Sequence, residues 1–285
     1  MKKLFFSFLI TAVILNLFGC SSPKQKETNE KAALHSTDSS HRSPRPVHWG
    51  YHGDDGPEHW AALSPVYAAC GEGKTQSPID IQESGTTTGS VWNLEYKNTS
   101  VRIAYNEHMN EIIDNGHTIQ ASVDEGSSLR YGNKTYQLKQ FHFHTPSEHT
   151  LDGEHLPMEM HMVHQASDGS LAVIGVFFVE GKKANENFNK IISYLPDEKG
   201  ESIHNASDSL SIRLHIPTDH HAYHYIGSLT TPPCTENVQW LILKEKISLT
   251  TDQIKAFSSR IGPNNRPTQP LNKRSVELDE LKESN

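Results

Sequence analysis

The segment Gln140-Phe-His-Phe-His144 alternates aromatic and polar side chains. Successive side chains of a β-strand point to opposite faces of a sheet. His142 and His144 therefore share one face, while Phe141 and Phe143 pack on the other. The segment predicts a strand with a buried apolar face and two imidazoles on its opposite face.

A third histidine lies at the centre of Glu159-Met-His-Met-Val163. Glu159, His161 and Val163 share one face of this second predicted strand. A neighbouring strand can bring His161 beside the first two histidines. Three neutral imidazoles with one open position are typical of a catalytic zinc site rather than a structural one.

A single histidine is a weak signal here, because the chain has 18 histidines among 285 residues. A pair two residues apart with a distant third is more specific, and the flanking residues decide the matter. The rest of the body is rich in β-branched and alternating runs bounded by Gly, Asn, Asp and Ser. Strands are predicted at 101–105, 118–123, 136–144, 158–164, 171–179 and 238–243, and helices at 185–195 and 250–261.

Further motifs surround these histidines in a fixed order. They are Gln140–His149, Glu159–His164, Ser228–Pro233, His48-Trp-Gly-Tyr51, Gln76-Ser-Pro-Ile-Asp80, Asn115-Gly-His117, Leu171–Gly175 and Asn265–Leu271. Together they resemble the α-class carbonic anhydrases, in the form typical of bacterial members, over residues 47–273. The resemblance implies a mainly β domain with one large, mostly antiparallel twisted sheet and short peripheral helices. It also implies reversible hydration of carbon dioxide to bicarbonate and a proton by a zinc-bound hydroxide.

The resemblance assigns roles to the residues that match its motifs. His142, His144 and His161 are the expected Zn²⁺ ligands. Gln140 and Glu159 are the expected hydrogen-bond partners of His142 and His161, and His144 is expected to use a backbone carbonyl.

The catalytic groups follow from the same resemblance. Thr230 is expected to orient the hydroxide and to donate its own hydrogen to Glu148, and His117 matches the proton shuttle. A histidine suits that task because its ordinary pKa is near 6.5. The expected substrate pocket is lined by Val163, Val173, Leu229, Thr231, Val238 and Trp240. Ser77-Pro78 and Pro232-Pro233 match positions of cis peptide bonds.

The N-terminal segment has a different character from the body. Residues 1–20 carry two lysines and then a short apolar run, as in a signal peptide. The run ends in Leu17-Phe-Gly-Cys20, which resembles the lipobox of bacterial lipoproteins and makes Cys20 a candidate for lipidation; an ordinary cleaved signal peptide is the alternative. Residues 21–46 are polar and predict a flexible tether, whereas 274–285 are predicted as a charged tail. The expected location is outside the cytoplasm, in a bacterial periplasm or at the cell surface, anchored to a membrane by lipid.

Cysteine usage agrees with export. The chain has three cysteines, and if Cys20 carries lipid, Cys70 and Cys234 remain. An oxidising compartment favours joining them in a disulfide. Such a bond would hold the loop that includes Thr230.

Two other functions use the same histidines. One is a catalytically silent recognition module. The other is a zinc-buffering lipoprotein, with His35, His41, His220, His221 and His224 as weak additional sites. Intact Glu148, Thr230 and His117 favour the hydratase. The net charge of −8 and the lack of a basic patch with interleaved aromatics argue against nucleic acid as a partner, and the oligomeric state is not predicted.

Overall fold

The computed structural model has one large twisted sheet at its centre, as predicted from the sequence. The described part of the chain comprises residues 47–83, 87–95, 98–99, 101–106, 118–200, 202–204, 210–211, 213, 216–217, 219 and 221–283. Among the predicted features, the signal peptide, Cys20, the tether to residue 46 and His117 lie outside the described residues. No helix within the described ranges combines the length and apolar character needed to cross a membrane.

The elements are numbered along the chain. The strands are β1 (Asp80–Ile81), β2 (Thr87–Glu95), β3 (Asn98–Thr99), β4 (Val101–Asn106), β5 (Thr118–Val123), β6 (Ser128–Tyr131), β7 (Lys134–His144), β8 (Thr150–Leu151), β9 (Glu154–His155), β10 (Met158–Ala166), β11 (Leu171–Glu180), β12 (Ser202–His204), β13 (Leu210–Ser211), β14 (His221–Ser228), β15 (Glu236–Leu243), β16 (Ile247–Leu249) and β17 (Glu277–Glu283). The α-helices are α1 (Trp60–Leu63), α2 (Ala69–Glu72), α3 (Glu186–Ile192) and α4 (Thr251–Ile261), and single 3₁₀ turns cover Gly53–Asp55 and Pro65–Tyr67.

The main sheet runs in the order β10-β11-β15-β14-β17-β2-β6-β7-β5-β4-β12, with β16 beside β11 and a further pairing of β10 with β7. Most neighbouring strands are antiparallel; β11 with β15, β11 with β16 and β17 with β2 are parallel. The antiparallel pairing of β7 with β10 is the one that forms the site. It places His161 opposite His142 and Val163 opposite Gln140.

The two faces of the sheet bury two different apolar clusters. Phe141 and Phe143 belong to the larger cluster, on the face that α3 and α4 cover. Phe257 of α4 packs on Phe143 with 4.5 Å between ring centroids. Val163 and Trp240 belong to the second cluster, on the histidine face. The alternating side chains of β7 therefore place the two phenylalanines on one face of the sheet and the two histidines on the other.

Helix α4 illustrates how local sequence sets an element's limits. Thr250 and Gln253 form a capping box, in which each side chain accepts a hydrogen bond from the other's backbone N–H. Gly262 ends the helix with a φ of 63° that favours glycine. The cap fixes where the helix begins, and Ile254 and Phe257 then face the sheet.

The fold class and all six predicted strands are confirmed, and both predicted helices form within a few residues of their expected limits. The cis bonds expected at Ser77-Pro78 and Pro232-Pro233 are present, and Thr145-Pro146 is a third. The predicted charged tail requires correction. Residues 277–283 are strand β17, which pairs with β14 and β2, because Asp279 and Leu281 alternate onto the buried face.

Candidate metal centre

Three buried histidines from adjacent strands form the candidate metal centre. His142 and His144 come from β7, and His161 comes from β10. One ring nitrogen of each lies within 4.8 Å of the other two. Ring centroids are 5.0 Å apart for His142 and His144, and 4.5 Å apart for His144 and His161. The spacing suits three ligands of a single ion.

Each ring is held by a hydrogen bond at one nitrogen. His142 Nδ1 lies 2.8 Å from Gln140 Oε1. His144 Nδ1 lies 2.7 Å from the carbonyl oxygen of Asn264. His161 Nε2 lies 2.8 Å from Glu159 Oε1. Donation to these acceptors leaves Nε2 of His142, Nε2 of His144 and Nδ1 of His161 as the lone-pair donors.

Glu159 is the most heavily used of these partners. Its Oε1 also lies 2.8 Å from Nδ1 of His149. Its Oε2 accepts hydrogen bonds from the backbone N–H groups of Glu148 and His149, both at 2.9 Å. Although burial opposes ionisation, His149 and His161 hold the pKa of Glu159 well below its ordinary value. The carboxylate is therefore ionised and fully satisfied.

Burial also favours the neutral form of two expected ligands. It lowers the pKa of His142 well below the ordinary value, and the neighbouring histidines add to this effect. Burial likewise lowers the pKa of His144. A neutral imidazole is the form that binds a metal ion.

The donor set fits a divalent zinc ion. His144 Nε2 is buried and has no hydrogen-bond partner among the described residues, so the protein itself leaves this lone pair unused. Three imidazole nitrogens with no anionic ligand correspond to the donor sets of catalytic zinc sites.

Glu148 differs from expectation in one contact. Its Oε1 accepts a hydrogen bond from the backbone N–H of Arg266 at 2.9 Å. Its Oε2 lies 3.6 Å from His144 Nε2 and 3.8 Å from His161 Nδ1, and has no hydrogen-bond partner within the described residues. The expected hydrogen bond from Thr230 to Glu148 is not seen among the described residues, and Oε2 keeps room to accept one.

A small pocket opens beside the histidines. Its lining consists of His142, His161, Val163, Val173, Leu229, Thr230, Thr231 and Trp240. Val238 was expected in this lining, but it is buried in the same apolar cluster without lining the pocket. Thr231 Oγ1 is buried with no hydrogen-bond partner in the described part of the chain. The pocket is apolar on one side and presents threonine side chains on another.

The expected disulfide joins Cys70 to Cys234, with 5.0 Å between their Cα atoms. Cys70 lies in α2, and Cys234 ends the loop that contains Thr230 and Thr231. Gln76 Nε2 donates to the carbonyl oxygen of Cys234 at 3.1 Å. The loop over the pocket is therefore attached to the N-terminal part of the domain by a covalent bond and a hydrogen bond.

Tyr225 and Asn264 also support the centre, and neither was predicted from the sequence. His149 Nε2 lies 2.7 Å from the hydroxyl of Tyr225, which in turn lies 2.8 Å from Ser77 Oγ. Asn264 holds His144 through its carbonyl and donates its side-chain amide to the carbonyl of Phe143 at 2.9 Å. The sequence feature that could have indicated Asn264 is its position between the helix-ending Gly262-Pro263 and the motif that begins at Asn265.

The fold and the site together define a class: mainly β enzymes with a three-histidine centre on one face of a large sheet. Residues 55–280 match the family model described as eukaryotic-type carbonic anhydrase, and the chain belongs to that family as an enzyme. It is 39% identical to a carbonic anhydrase of Pectobacterium atrosepticum over 231 residues, covering 81% of this chain and 90% of the relative. It is 38% identical to one of Nostoc sp., covering 81% of this chain and 85% of the relative.

Solved structures of this family have the same fold. The α-carbonic anhydrase of Thermovibrio ammonificans, in complex with the inhibitor sulfanilamide, superposes with a TM-score of 0.75 at 38% identity, covering 82% of this chain and all of that one. Dioscorin in complex with ascorbate gives a TM-score of 0.70 at 28% identity and covers 82% of this chain and 98% of that one. Because a protein solved with ascorbate has the same fold, the fold alone does not identify the ligand, and the chemistry has to be argued from the site.

Proposed function

We propose that this protein binds one Zn²⁺ at His142, His144 and His161 and interconverts carbon dioxide with bicarbonate and a proton. One observation carries the proposal: three buried imidazoles bring one nitrogen each to within 4.8 Å of the other two beside an apolar pocket, and His144 Nε2 has no hydrogen-bond partner among the described residues. When bound, zinc supplies a Lewis acid that acidifies water, as it does in carbonic anhydrases generally, and three uncharged ligands leave its charge undiminished.

The protein's first task is to hold the three rings. Gln140, the Asn264 carbonyl and Glu159 each occupy one ring nitrogen and so fix the tautomer and the direction of the other nitrogen. Glu159 is itself fixed by two backbone amides and His149. This support limits the rings to the orientation that serves one ion.

The second task is to place the substrate. Carbon dioxide is small and apolar, so a wall made by Val163, Val173, Leu229 and Trp240 suits it without any charged anchor. Thr231 Oγ1, buried with no partner among the described residues, offers a polar contact on the product side, where bicarbonate has hydroxyl and oxyanion groups.

Thr230 and Glu148 complete the proposed chemistry. Glu148 Oε2 keeps an unused acceptor site next to the histidines. In the zinc-loaded enzyme, the Thr230 hydroxyl donates to that oxygen and accepts a hydrogen from the reacting water, which aims the water's lone pair at carbon. His117 then passes the released proton to buffer; this role rests on its sequence motif alone.

A location is part of the proposal. The lipobox-like end of the first 20 residues and the disulfide favour an exported, lipid-anchored enzyme in a bacterial periplasm or at the cell surface. Metabolic labelling with a radioactive fatty acid tests it. Label should enter the wild type and be lost in the Cys20→Ser variant; a wild type without label would refute lipidation.

Stopped-flow hydration of carbon dioxide tests the mechanism. Thr230→Val removes the hydroxyl at nearly constant volume and should lower kcat/KM by about 10²-fold or more, whereas Thr230→Ser should retain much of the activity. A silent recognition module or a zinc buffer would not accelerate hydration in any variant. Equal rates for Val and Ser would remove Thr230 from the mechanism.

Sulfonamides provide an independent probe. The Thermovibrio ammonificans relative was solved with sulfanilamide as an inhibitor. We propose that the same class of compound binds the three-histidine centre here and suppresses hydration.

A further inference from the structure

A second group of possible ligands lies on the opposite face of the sheet from the three histidines. His224 on β14 pairs directly with Glu277 on β17, and Asp279 follows two residues later on the same face as Glu277. One ligand atom from each lies within 4.8 Å of the other two. Asp279 is fully buried, and 12% of the His224 side chain is exposed.

The hydrogen bonds of His224 leave one nitrogen directed at a carboxylate. Its Nε2 lies 2.8 Å from Gln239 Oε1 and donates there, just as His142 donates to Gln140. Its Nδ1 lies 2.9 Å from Asp279 Oδ2, yet the contact lacks hydrogen-bond geometry and Nδ1 has no hydrogen-bond partner among the described residues. A cation, either a proton or a metal ion, is therefore expected between the two atoms; although burial opposes protonation, Asp279 and Gln239 raise the pKa of His224 above its ordinary value.

A metal ion that binds here has to displace the proton that Asp279 favours on His224. A proton on Nδ1 points away from the N–O line, so its contact with Asp279 is bent and not an ideal hydrogen bond. If an ion is bonded to His224 Nδ1 and to Asp279 Oδ2 at about 2.0–2.1 Å, the N–metal–O angle is about 90°, which is an ordinary coordination angle. The oxygen then lies to one side of the nitrogen lone-pair axis, as it does in this contact.

The surrounding groups support the carboxylate as a ligand. The backbone N–H of Ser90 donates to Asp279 Oδ1 at 2.7 Å, and Trp92 Nε1 donates to Oδ2 at 2.7 Å. Hydrogen-bonded carboxylates and a histidine held at its second nitrogen are the usual surroundings of protein metal ligands. A cavity of about 240 Å³, lined in part by His224 and Glu277, gives an ion access.

We propose that His224, Asp279 and Glu277 form a second binding site for a divalent transition-metal ion, with Zn²⁺ as the probe. Two carboxylates and a neutral imidazole balance the ion's charge, so this site does not have the acidifying power of the three-histidine centre. Its consequence is structural. The ion ties β14 to β17, and Asp279 and Gln239 extend the connection to β2 and β15.

Nearby positive charge limits the affinity. Lys273 and Arg274 line the same cavity. The Arg274 guanidinium is held by the carbonyl oxygens of Ile226, Leu271 and Pro270, whereas Lys273 is exposed. The second site should therefore bind Zn²⁺ more weakly than the three-histidine centre.

Equilibrium dialysis of the full chain, stripped of metal and returned to Zn²⁺, tests the proposal by metal analysis. The wild type should bind two equivalents in two steps, and His224→Gln and Glu277→Gln should each bind one. Their hydration of carbon dioxide should match the wild type. The control His221→Gln removes an exposed histidine of the same strand, paired with Asp219, and should keep both equivalents.

Thermal unfolding supplies a second readout. The second equivalent should raise the Tm of the wild type and of His221→Gln, but not of His224→Gln. A wild type that saturates at one equivalent would overturn the proposal. So would a second equivalent that survives in both His224→Gln and Glu277→Gln, because it would then be adventitious binding at other histidines.

Discussion

At the scale of single residues, Glu159 links more of the centre than its place in the sequence suggests. It lies two residues before His161 on the same strand face, so its hydrogen bond to that ring is local. It also contacts His149 and two backbone amides of the segment after β7. One carboxylate thereby orients a ligand and fixes the chain that contains Glu148.

The variant Glu159→Gln tests this role. It keeps the shape but places an amide where an ionised acceptor now serves two histidines, so His161 loses its orienting charge. Zinc affinity should fall by about 10–100-fold, measured by competition with a chromogenic chelator. Glu154→Gln, at an exposed position on β9, is the control and should bind zinc as the wild type does. Unchanged affinity in Glu159→Gln would remove Glu159 from the centre.

His164 gives the protein a pH dependence of stability. Burial lowers the pKa of His164 to about 4, against an ordinary value of 6.5. Between these two values the unfolded chain binds a proton that the folded chain does not bind, so stability falls as pH falls. The loss should begin near pH 6.5 and continue to about pH 4, at up to about 1.4 kcal/mol per pH unit.

Urea unfolding at pH 7 and pH 5 measures the effect. The wild type should lose about 2 kcal/mol more than His164→Gln over this interval. His52→Gln, at an exposed histidine, should follow the wild type. If His164→Gln shows the same acid loss as the wild type, His164 is not the group responsible.

The three histidine ligands and their partners Gln140 and Glu159 could be predicted because every second side chain of a β-strand points to the same face. Gln140, His142 and His144 therefore share one face of β7. Tyr225 and Asn264 could not be predicted in this way. They reach the site from strands and loops about 80 to 120 positions away, and no local period records such contacts. The hydrogen bond from the Arg266 backbone to Glu148 could not be predicted for the same reason, since it depends on the folded C-terminal segment.

At the scale of elements, the site depends on close packing between β10, β11 and β15. Gly175 on β11 pairs with His161 on one side and with Ile242 on the other. A Cβ atom at Gly175 would lie 2.5 Å from Ile242 Cδ1 and 3.0 Å from Glu159 Oε1. The glycine therefore leaves room for the carboxylate that supports His161.

Gly175→Ala should destabilise the fold by about 1–3 kcal/mol and weaken zinc binding, because the new methyl group crowds both neighbours. Ile242→Val removes the closer atom and should recover part of the loss. A double-mutant cycle by urea unfolding measures the coupling. Strictly additive effects would show that the two side chains do not compete for this space.

Two of the strands that the sequence did not predict, β14 and β17, are rich in polar residues. Strand β14 begins in a histidine-rich run, and five of the seven residues of β17 (Glu-Leu-Asp-Glu-Leu-Lys-Glu) are charged, so both resemble polar surface. Their buried polar groups are paired across strands; Asp279, for example, accepts from Trp92 of β2. Such hydrogen bonds offset the free-energy cost of burying polar groups. They join strands that are far apart in the sequence, so the sequence alone does not indicate them.

At the scale of the whole molecule, the bond between Cys70 and Cys234 closes a loop across 164 positions. On the chain-entropy model such a loop contributes about 5 kcal/mol by restricting the unfolded chain. Cys70→Ala/Cys234→Ala should lose stability of this order in urea unfolding, and wild type kept in reductant should behave alike. Equal unfolding midpoints for the oxidised and the cysteine-free protein would contradict the prediction.

The same double variant should also lose activity, because Cys234 ends the loop that positions Thr230 and Thr231. Stopped-flow hydration at a temperature where both proteins are folded separates this effect from stability. A wild-type rate in the folded double variant would show that the bond stabilises the fold without positioning the loop.

The most direct measurement is a zinc titration of carbon dioxide hydration by the metal-stripped enzyme. The rate should start at the uncatalysed level, rise in proportion to added Zn²⁺ and stop rising at one equivalent, even if a second equivalent then binds at His224. His144→Ala, which removes one ligand, should lose most of this response. Hydration by the stripped enzyme at the full rate, or no acceleration after reloading, would contradict a three-histidine zinc centre as the source of activity.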